Sequence, residues 1–281
     1  MKDIKPAAQR PEIHIRPARG IGFGDFAEIF RNRRLLLGMA RRRLDSRFNN
    51  LYLGFFWATA RPLLMTLVFV FIKKLSEAKM GGGIPYPAYL FSGLVLWFYL
   101  AGSITQTAAA LERDAGLVQK IYFPRLISPM SPMLANLVDL MIGIIILIPI
   151  MIYFKLWPGW EIILLPLVLA QIMAMILGVG LVFAALNLIS RDWSQLLGLM
   201  LYIGLFMSPV IYSVERLPAT VQRVYFFNPA AGTLMAMRAS LFEPLDFPWG
   251  LWSYSVGFSL GVLLLGLAMF RRVEHKLLDE L

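Results

Sequence analysis

The chain has 281 residues, of which 58% are hydrophobic and 16% are charged, and its formal net charge at pH 7 is +10. Soluble domains have about 45–50% apolar and about 25% charged residues, so a single globular core could not bury this much apolar side chain, and a soluble enzyme is excluded. Six apolar stretches long enough to span a bilayer predict an all-α membrane protein with six transmembrane helices, because the ~10-residue alternating strands of a membrane barrel are absent.

Cysteine and histidine are scarce, which restricts the chemistry available to this chain. The sequence contains no cysteine and two histidines, and both His14 and His275 lie in its polar ends. Disulfides, thiolate nucleophiles and metal centres are therefore not expected, and neither is a cofactor bound by this chain. No short apolar segment with a small-residue cleavage site opens the sequence, so we expect no secretory signal to be removed.

Two different segments precede the first predicted span. Residues 1–24 are rich in proline and charge and lack an apolar period, which predicts a flexible cytoplasmic tail. Residues 25–49 place apolar side chains at helical spacing among seven arginines. This pattern predicts an amphipathic helix that lies in the membrane interface.

The six predicted spans fall within residues 50–271, which we assign to the transmembrane domain, and residues 272–281 are assigned to a cytoplasmic tail. Each span has close to the ~20 residues that a helix needs to cross the hydrocarbon core. The predicted spans are residues 51–72, 88–110, 126–153, 162–189, 194–212 and 251–270.

The segment between the fifth and sixth spans, residues 214–248, fits neither a span nor a free loop. It is apolar, yet Asn228 and Pro229 interrupt it, and the run of about 14 residues after Pro229 is too short to cross the membrane. We predict a pair of short re-entrant helices. The alternative is a seventh, imperfect span, which would put the two termini on opposite sides of the membrane.

Lysine and arginine are distributed unevenly between the two sets of loops. If residues 1–50, 111–125, 190–193 and the C-terminal tail share one side, that side carries 19 of the 27 basic residues and the opposite loops carry 7. By the positive-inside rule, both termini are cytoplasmic and the re-entrant segment faces outward. Topology and attraction to anionic lipids account for most of the net charge, so no nucleic-acid partner is expected.

Groups suited to catalysis are rare in the predicted spans. The sequence has no G-x-x-x-x-G-K-[ST] phosphate loop, and it has no H-E-x-x-H or G-x-S-x-G motif, so we expect this chain not to be an enzyme and not to hydrolyse ATP itself. Arg61 and Asp139 lie at similar predicted depths within the first and third spans. We expect them to form an intramembrane ion pair; a pore-lining or ion-coupling role is the alternative.

The loop at residues 111–125 begins with charged side chains and continues with apolar ones. Exposed apolar residues on a short helix are typical of a segment that docks onto a partner, and a separate cytosolic ATPase would supply the missing ATP hydrolysis. The alternative is a solvated connector. The candidate coupling residues are Glu112, Arg113, Leu117, Val118, Ile121 and Tyr122.

Aromatic side chains are dense in and near the predicted spans. Most are typical of the interfacial belt. Others are expected to face a transport pathway, where a ring can stack on the C–H face of a sugar while the chain slides past. The candidate channel residues are Trp57, Trp97, Tyr99, Tyr202, Phe206 and Tyr212.

Eight short segments resemble those of a known transporter family. They occur in the family's order between residues 53 and 274: LGFFWATARPLL, PYPAYLFSGLVLWFYL, LVQKIYFPRLISP, NLVDL, ALNLISRD, MSPVIYS, FNPAAG and FRRVE. On these segments the sequence resembles the ABC-2 type permeases that export polysaccharide, the Wzm-like O-antigen and KpsM-like capsule subunits, with teichoic-acid exporters as near relatives.

The resemblance implies a homodimer of six-helix permeases with two cytosolic nucleotide-binding ATPase subunits, which would bind the ATP and Mg²⁺. It implies a lipid-linked polysaccharide as substrate and export across the inner membrane, with membrane lipids around the spans. A teichoic-acid or other glycolipid exporter subunit and a secondary transporter without an ATPase are the alternatives. A glycan-processing enzyme is disfavoured, because no catalytic constellation is visible.

Overall fold

The computed structural model describes residues 30–48, 54–76, 84–118, 123–214 and 227–279, with four single positions between residues 214 and 227. Within these residues every regular element is a helix, in agreement with the predicted all-α class. The elements are α1 (Arg33–Phe48), α2 (Gly54–Ser76), α3 (Tyr86–Ala108), α4 (Ala110–Val118), α5 (Ile127–Tyr153), a 3-10 helix (Trp160–Leu164), α6 (Leu165–Asn187), α7 (Asp192–Met207), α8 (Pro229–Leu241) and α9 (Trp249–Asp279).

Four helical segments in the described part of the chain are long and apolar enough to cross a membrane. They overlap the second, third, fourth and sixth predicted spans, which confirms the apolar stretches as helices at these four places. The segments are Tyr86–Ala108, Ile127–Tyr153, Trp160–Asn187 and Trp249–Arg272.

The other two predicted spans correspond to helices of different character. Helix α2 has 23 residues but carries Lys73 and Lys74 in its last turn. Helix α7 is an apolar helix of 16 residues that ends at Met207, so the predicted fifth span, residues 194–212, is shorter in the structure. A crossing by all six segments remains a prediction.

Helix α3 forms the centre of the protein. It is buried on most of its surface, and helices α2, α5 and α6 pack around it. Lipid chains are as apolar as the side chains, so moving an apolar side chain from lipid into a helix contact gains little free energy. Close packing must therefore hold such helices together. The core of the chain is therefore the region where α3 meets its neighbours.

The close approach of helices α6 and α9 depends on a glycine in each helix. A Cβ atom added to Gly266 would lie 2.5 Å from the carbonyl oxygen of Gly178, and one added to Gly178 would lie 2.6 Å from the backbone nitrogen of Leu263. Small residues allow two membrane helices to bring their backbones into contact. Van der Waals contact between the backbones then contributes to the attraction between the helices. This contact fixes the last helix against α6.

Helix α8 begins where the sequence breaks at Asn228 and Pro229. The Asn228 side chain accepts a hydrogen bond from the backbone N–H of Ala230 at 3.0 Å, and proline suits the first helical turn because it has no N–H to satisfy. The helix has 13 residues, nearly all of them buried, and packs against α6 and α9. Its burial matches the second half of the predicted re-entrant pair, whose return into the membrane remains a prediction.

The ends of the predicted domains differ in what the structure describes. The tail at residues 1–24 lies outside the described residues, and of the interface helix predicted at 25–49 the structure describes Arg33–Phe48 as α1. The tail predicted at 272–281 is not separated from the last span, because α9 continues without interruption to Asp279.

Candidate functional site

Helix α1 lies against the start of α5. Leu36 and Met39 are buried on one face of α1 and pack in a small cluster with Phe123 and Ile127. The other face is exposed to solvent: Arg41 and Asp45 form an open pair 3.9 Å apart. The exposed surface of α1 also carries Leu35 and Leu37, so the division into an apolar face and a charged face is incomplete, and the interfacial location of α1 remains a prediction.

Helix α4 is a nine-residue helix directly after α3. Glu112 and Arg113 are exposed, so both are available to a partner. Leu117 and Val118 belong to α4, but their side chains lie outside the described part of the protein, as do Ile121 and Tyr122 entirely. The coupling role of all six residues remains a prediction.

A cleft of about 510 Å³ separates α1 from α4. Three of its lining side chains are arginines and one is an aspartate, so it is basic. The lining residues are Met39, Arg42, Arg43, Ser46, Arg113, Asp114 and Gly116.

Arg43 crosses from α1 to α4 beside this cleft. Its Nη2 donates to the Asp114 carboxylate at 2.6 Å, and its Nε donates to the Ser131 hydroxyl at 2.7 Å. The Ser128 hydroxyl donates to the same Asp114 oxygen at 2.5 Å. We call these four residues the Arg43 junction. Burial lowers the pKa of Arg43, while the negative charge of Asp114 opposes that shift.

Asp139 on α5 pairs with Arg47 at the end of α1, and not with Arg61. Arg47 Nη1 donates to Asp139 Oδ2 at 2.5 Å, and the described residues show no ion pair between Asp139 and Arg61, whose side chain is exposed on α2. The predicted Arg61–Asp139 pair is therefore wrong for this structure. It compared depths within spans only, whereas α1 runs along α5 and brings Arg47 to Asp139.

The Arg47–Asp139 pair continues into a polar network between helices. Arg47 also approaches Asn136 Oδ1 at 3.4 Å, Gln106 Nε2 donates to the same oxygen at 3.3 Å, and Asn136 Nδ2 donates to the Ser103 hydroxyl at 3.1 Å. Hydrogen bonds of this kind join membrane helices, because a buried polar group without a partner is costly in hydrocarbon. Helices α1, α3 and α5 are thereby linked.

The candidate channel aromatics do not share one surface in the single chain. Trp97 and Tyr99 are buried in the core, and Trp97 packs against Gly204 of α7. Tyr202 and Phe206 are exposed on α7, at 65% and 45%, and their rings meet edge to face at 5.7 Å. Tyr212 is half-buried, and its hydroxyl donates to the Phe206 carbonyl at 2.6 Å. The side chain of Trp57 is outside the described residues.

Arg238 on α8 is a buried cation, and it is one of the seven basic residues that the charge count places on the outer side of the membrane. Its side chain is 2% exposed. Nη1 donates to the Pro209 carbonyl at 2.5 Å, and Nη2 donates to the carbonyls of Tyr89 and Val210 at 3.1 and 3.0 Å. Backbone oxygens thus solvate both terminal nitrogens of this buried guanidinium, whereas its Nε has no hydrogen-bond partner among the described residues.

Two residues of α3 shape the space for Arg238. The Tyr89 hydroxyl lies within hydrogen-bond distance of the carbonyls of Tyr212, at 2.9 Å, and Pro209, at 3.2 Å. A Cβ atom on Gly93 would overlap Arg238 Nη2. The signal in the sequence was an arginine within the apolar run AAGTLMAMRASL, since a cation there needs internal partners. Helices α3 and α8 and the turn at residues 208–212 are thus tied together.

Comparison with known proteins assigns these helices to a transporter class. The sequence pattern of the family described as ABC-2 type transporter matches residues 34–242, which include all but the first residue of α1, the Arg43 junction and Arg238. The chain is 26% identical over 219 residues to the O-antigen export system permease protein RfbA of Myxococcus xanthus, covering 77% of this chain and 83% of that protein.

Two further relatives extend the similarity over more of the chain. The O-antigen export system permease protein RfbA of Klebsiella pneumoniae is 25% identical over 253 residues, which is 88% of this chain and 95% of that protein. The polysialic acid transport protein KpsM of Escherichia coli is 24% identical over 246 residues, covering 85% and 93%. The similarity runs through nearly the whole length of each relative.

Proposed function

The chain belongs to the ABC-2 type transporter family, and from this premise we propose that it is the membrane permease subunit of an ATP-driven exporter of lipid-linked polysaccharide. The observation that carries the proposal is the similarity to permeases for O-antigen and polysialic acid over most of their length. O-antigen or capsule is accordingly the proposed substrate class, and the inner membrane is the proposed location.

The proposed topology has six crossings with both termini in the cytoplasm. Helices α2 and α7 supply the two crossings beyond the four long apolar segments. The apolar residues Leu67 and Phe71 of α2, and Leu199 of α7, are more than half exposed in the single chain, which suits a surface covered by lipid or by a second copy in a homodimer. The re-entrant pair would then face outward.

Two cytosolic ATPase subunits are the proposed partners, and ATP and Mg²⁺ would be bound there. The proposal is supported by the lack of a phosphate-binding loop in this sequence and by the exposure of Glu112 and Arg113 on α4. This chain itself would act as the permease and carry out no hydrolysis. Helix α4 would receive the motion of the ATPase.

A path between two copies of the chain is the proposed route of the polymer. Tyr202 and Phe206 are the best-supported candidates to line it, because they are exposed aromatic residues on α7. Aromatic faces suit sugar rings that must bind weakly and slide. Trp97 and Tyr99 are supported less well, since both lie in the core of the single chain, and Trp57 stays a candidate on sequence alone.

The proposal is tested by deleting the gene from cells that carry it and purifying the tagged chain from the complemented strain. We expect the deletion to remove a surface polysaccharide and to leave its lipid-linked precursor inside the cell. We expect a nucleotide-binding subunit to copurify, with ATP hydrolysis that depends on it. An unchanged surface glycan together with a chain that purifies without such a subunit would contradict the proposal.

A further inference from the structure

We propose that Arg43 is a positioning residue that fastens α4 to α1 and to the start of α5, so that a displacement of α4 is transmitted to α1. The inference rests on the proposed function, in which α4 is the element that an ATPase moves. It adds a route for that movement: α1, the helix in the membrane interface, is proposed to move together with α4.

The Arg43 junction joins three separate elements at one carboxylate. The Asp114 carboxylate of α4 accepts hydrogen bonds from Arg43 of α1 at 2.6 Å and from Ser128 of α5 at 2.5 Å. Arg43 also donates a hydrogen bond to Ser131 of α5 at 2.7 Å. A guanidinium that donates from two nitrogens in different directions fixes orientation as well as distance. Helix α4 therefore cannot turn away from α1 without breaking a charged hydrogen bond.

Burial distinguishes this pair from an ordinary surface pair on the same helix. The side chains of Arg43 and Asp114 are 18% and 17% exposed, whereas those of Arg41 and Asp45 are 84% and 56% exposed at a distance of 3.9 Å. Water and salt weaken the exposed pair almost completely. Separating the sheltered pair would leave each charge without its counter-ion, so the two helices resist moving apart.

The chain connects α4 to the transmembrane helices at both of its ends. Only Ala109 separates the end of α3 at Ala108 from the start of α4 at Ala110, and residues 119–126 lead from α4 to α5. The helix is interrupted at Ala109, so a push on α4 can change its angle to α3 at this point. The Arg43 junction then determines whether α1 follows this change of angle or stays behind.

Helix α1 is placed so that such a movement has an effect. Its buried face contacts Phe123, which precedes α5, and Ile127, the first residue of α5, and its last turn holds Asp139 through Arg47. A shift of α1 would therefore act on α5 at two points along its length. The structure provides a continuous series of contacts from α4 to a membrane helix.

The experiment uses the complete complex of permease and ATPase subunits in proteoliposomes and in cells. R43Q removes the charge, and R41Q removes the exposed arginine two residues away on the same helix as the matched control. We expect R43Q to retain bound ATPase and ATP turnover but to lower export by about tenfold, within the range by which residues along such networks change coupling. R41Q should export like the unmodified chain.

A restoring cross-link separates coupling from folding. The sequence has no cysteine, so S46C and G116C, which line the cleft on opposite helices, can be joined by bis-maleimides of increasing length. Joining α1 to α4 should restore export to R43Q. If R43Q fails to accumulate, R43K, which keeps the charge but loses the planar fork, and S131A take its place, and each should lower export by a few-fold.

The outcomes distinguish this inference from the proposed function. Normal export by R43Q, or by both R43K and S131A, overturns the inference, and so does loss of export that no cross-link restores. An unmodified chain that binds no ATPase subunit contradicts the proposed function instead, before any variant is compared.

Discussion

Arg238 lies face-on against Tyr89: its guanidinium carbon is 3.6 Å from the centre of the Tyr89 ring, and its Nη2 donates to the Tyr89 carbonyl at 3.1 Å. The two residues are far apart in sequence, one on α8 and one on α3. Their double contact combines a cation–π interaction with a charged hydrogen bond. Helix α8 is therefore attached to the centre of the protein by a cation rather than by apolar packing alone.

Replacing Arg238 should destabilise the permease. Arg238→Met keeps much of the side-chain volume but leaves the carbonyls of Tyr89 and Val210 without the donor that Arg238 supplies, and that of Pro209 with only the Tyr89 hydroxyl, so we expect a loss of about 3 kcal/mol. Thermal unfolding of the purified protein in detergent measures this loss. Arg191→Gln, at an exposed arginine before α7, is the control and should leave the midpoint unchanged. Equal midpoints for both variants would show that Arg238 is not held as described.

Gly93 should tolerate no larger residue. A Cβ atom there would overlap Arg238 Nη2 and lie 3.1 Å from the Val210 carbonyl, so Gly93→Ala is expected to destabilise the protein by about 1–3 kcal/mol through overpacking. Gly102→Ala, on the same helix with no atom within 4 Å of the added Cβ, should be neutral or slightly stabilising. Unfolding midpoints of the two variants decide the point, and a stable Gly93→Ala would argue against the placement of Arg238.

The contact of α6 with α9 should be equally sensitive to volume. Gly178→Ala places a methyl group 2.6 Å from the backbone of Leu263, and backbone cannot move aside as a flexible side chain can, so we expect a loss of about 2 kcal/mol. The matched control is Gly261→Ala on α9, where the added Cβ has no neighbour within 4 Å. Denaturant unfolding in nanodiscs compares them, and similar stabilities would contradict the close approach.

Asp139 should be energetically coupled to Arg47 and not to Arg61. A double-mutant cycle with Arg47→Gln and Asp139→Asn is expected to give an interaction energy of about 1 kcal/mol, a modest value because the Arg47 side chain is 46% exposed. The same cycle with Arg61→Gln in place of Arg47→Gln should be additive. A coupling energy that appears with Arg61 alone would reinstate the pair predicted from the sequence.

The helical framework of this protein follows from its sequence, for reasons visible at particular residues. Long, mostly apolar runs predict α3, α5, α6 and α9, because a single segment in hydrocarbon can satisfy its own backbone hydrogen bonds only as a helix. The start of α8 follows from Asn228 and Pro229, which cap a helix and cannot continue one. Apolar runs and helix-capping residues are local features of the chain, so they can be identified from the sequence without knowledge of the tertiary structure.

The partners of buried charges depend on packing, which the sequence does not display. The position of Asp139 within the third span predicts its depth in the membrane but not its partner. That partner lies on α1, and the path of α1 along α5 depends on tertiary packing. Arg238 lies in the predicted re-entrant segment and was counted only as one of the outer charges, although the carbonyls that bind it belong to a turn 29 and 28 residues away and to α3. Counting charges by segment cannot detect a cation solvated by backbone.

Helix α7, with 16 residues, rises by only about 24 Å, whereas the hydrocarbon of a bilayer is about 30 Å thick. In the proposed topology, in which α7 crosses the bilayer, this hydrophobic mismatch would require either that the lipid beside α7 thins or that the turn after Met207 enters the hydrocarbon. The backbone of this turn suits an apolar environment, because the carbonyls of Met207, Pro209 and Val210 already accept hydrogen bonds from side chains. In that topology, bilayer thickness, set by acyl-chain length, would act directly on the part of the chain that Arg238 holds in place.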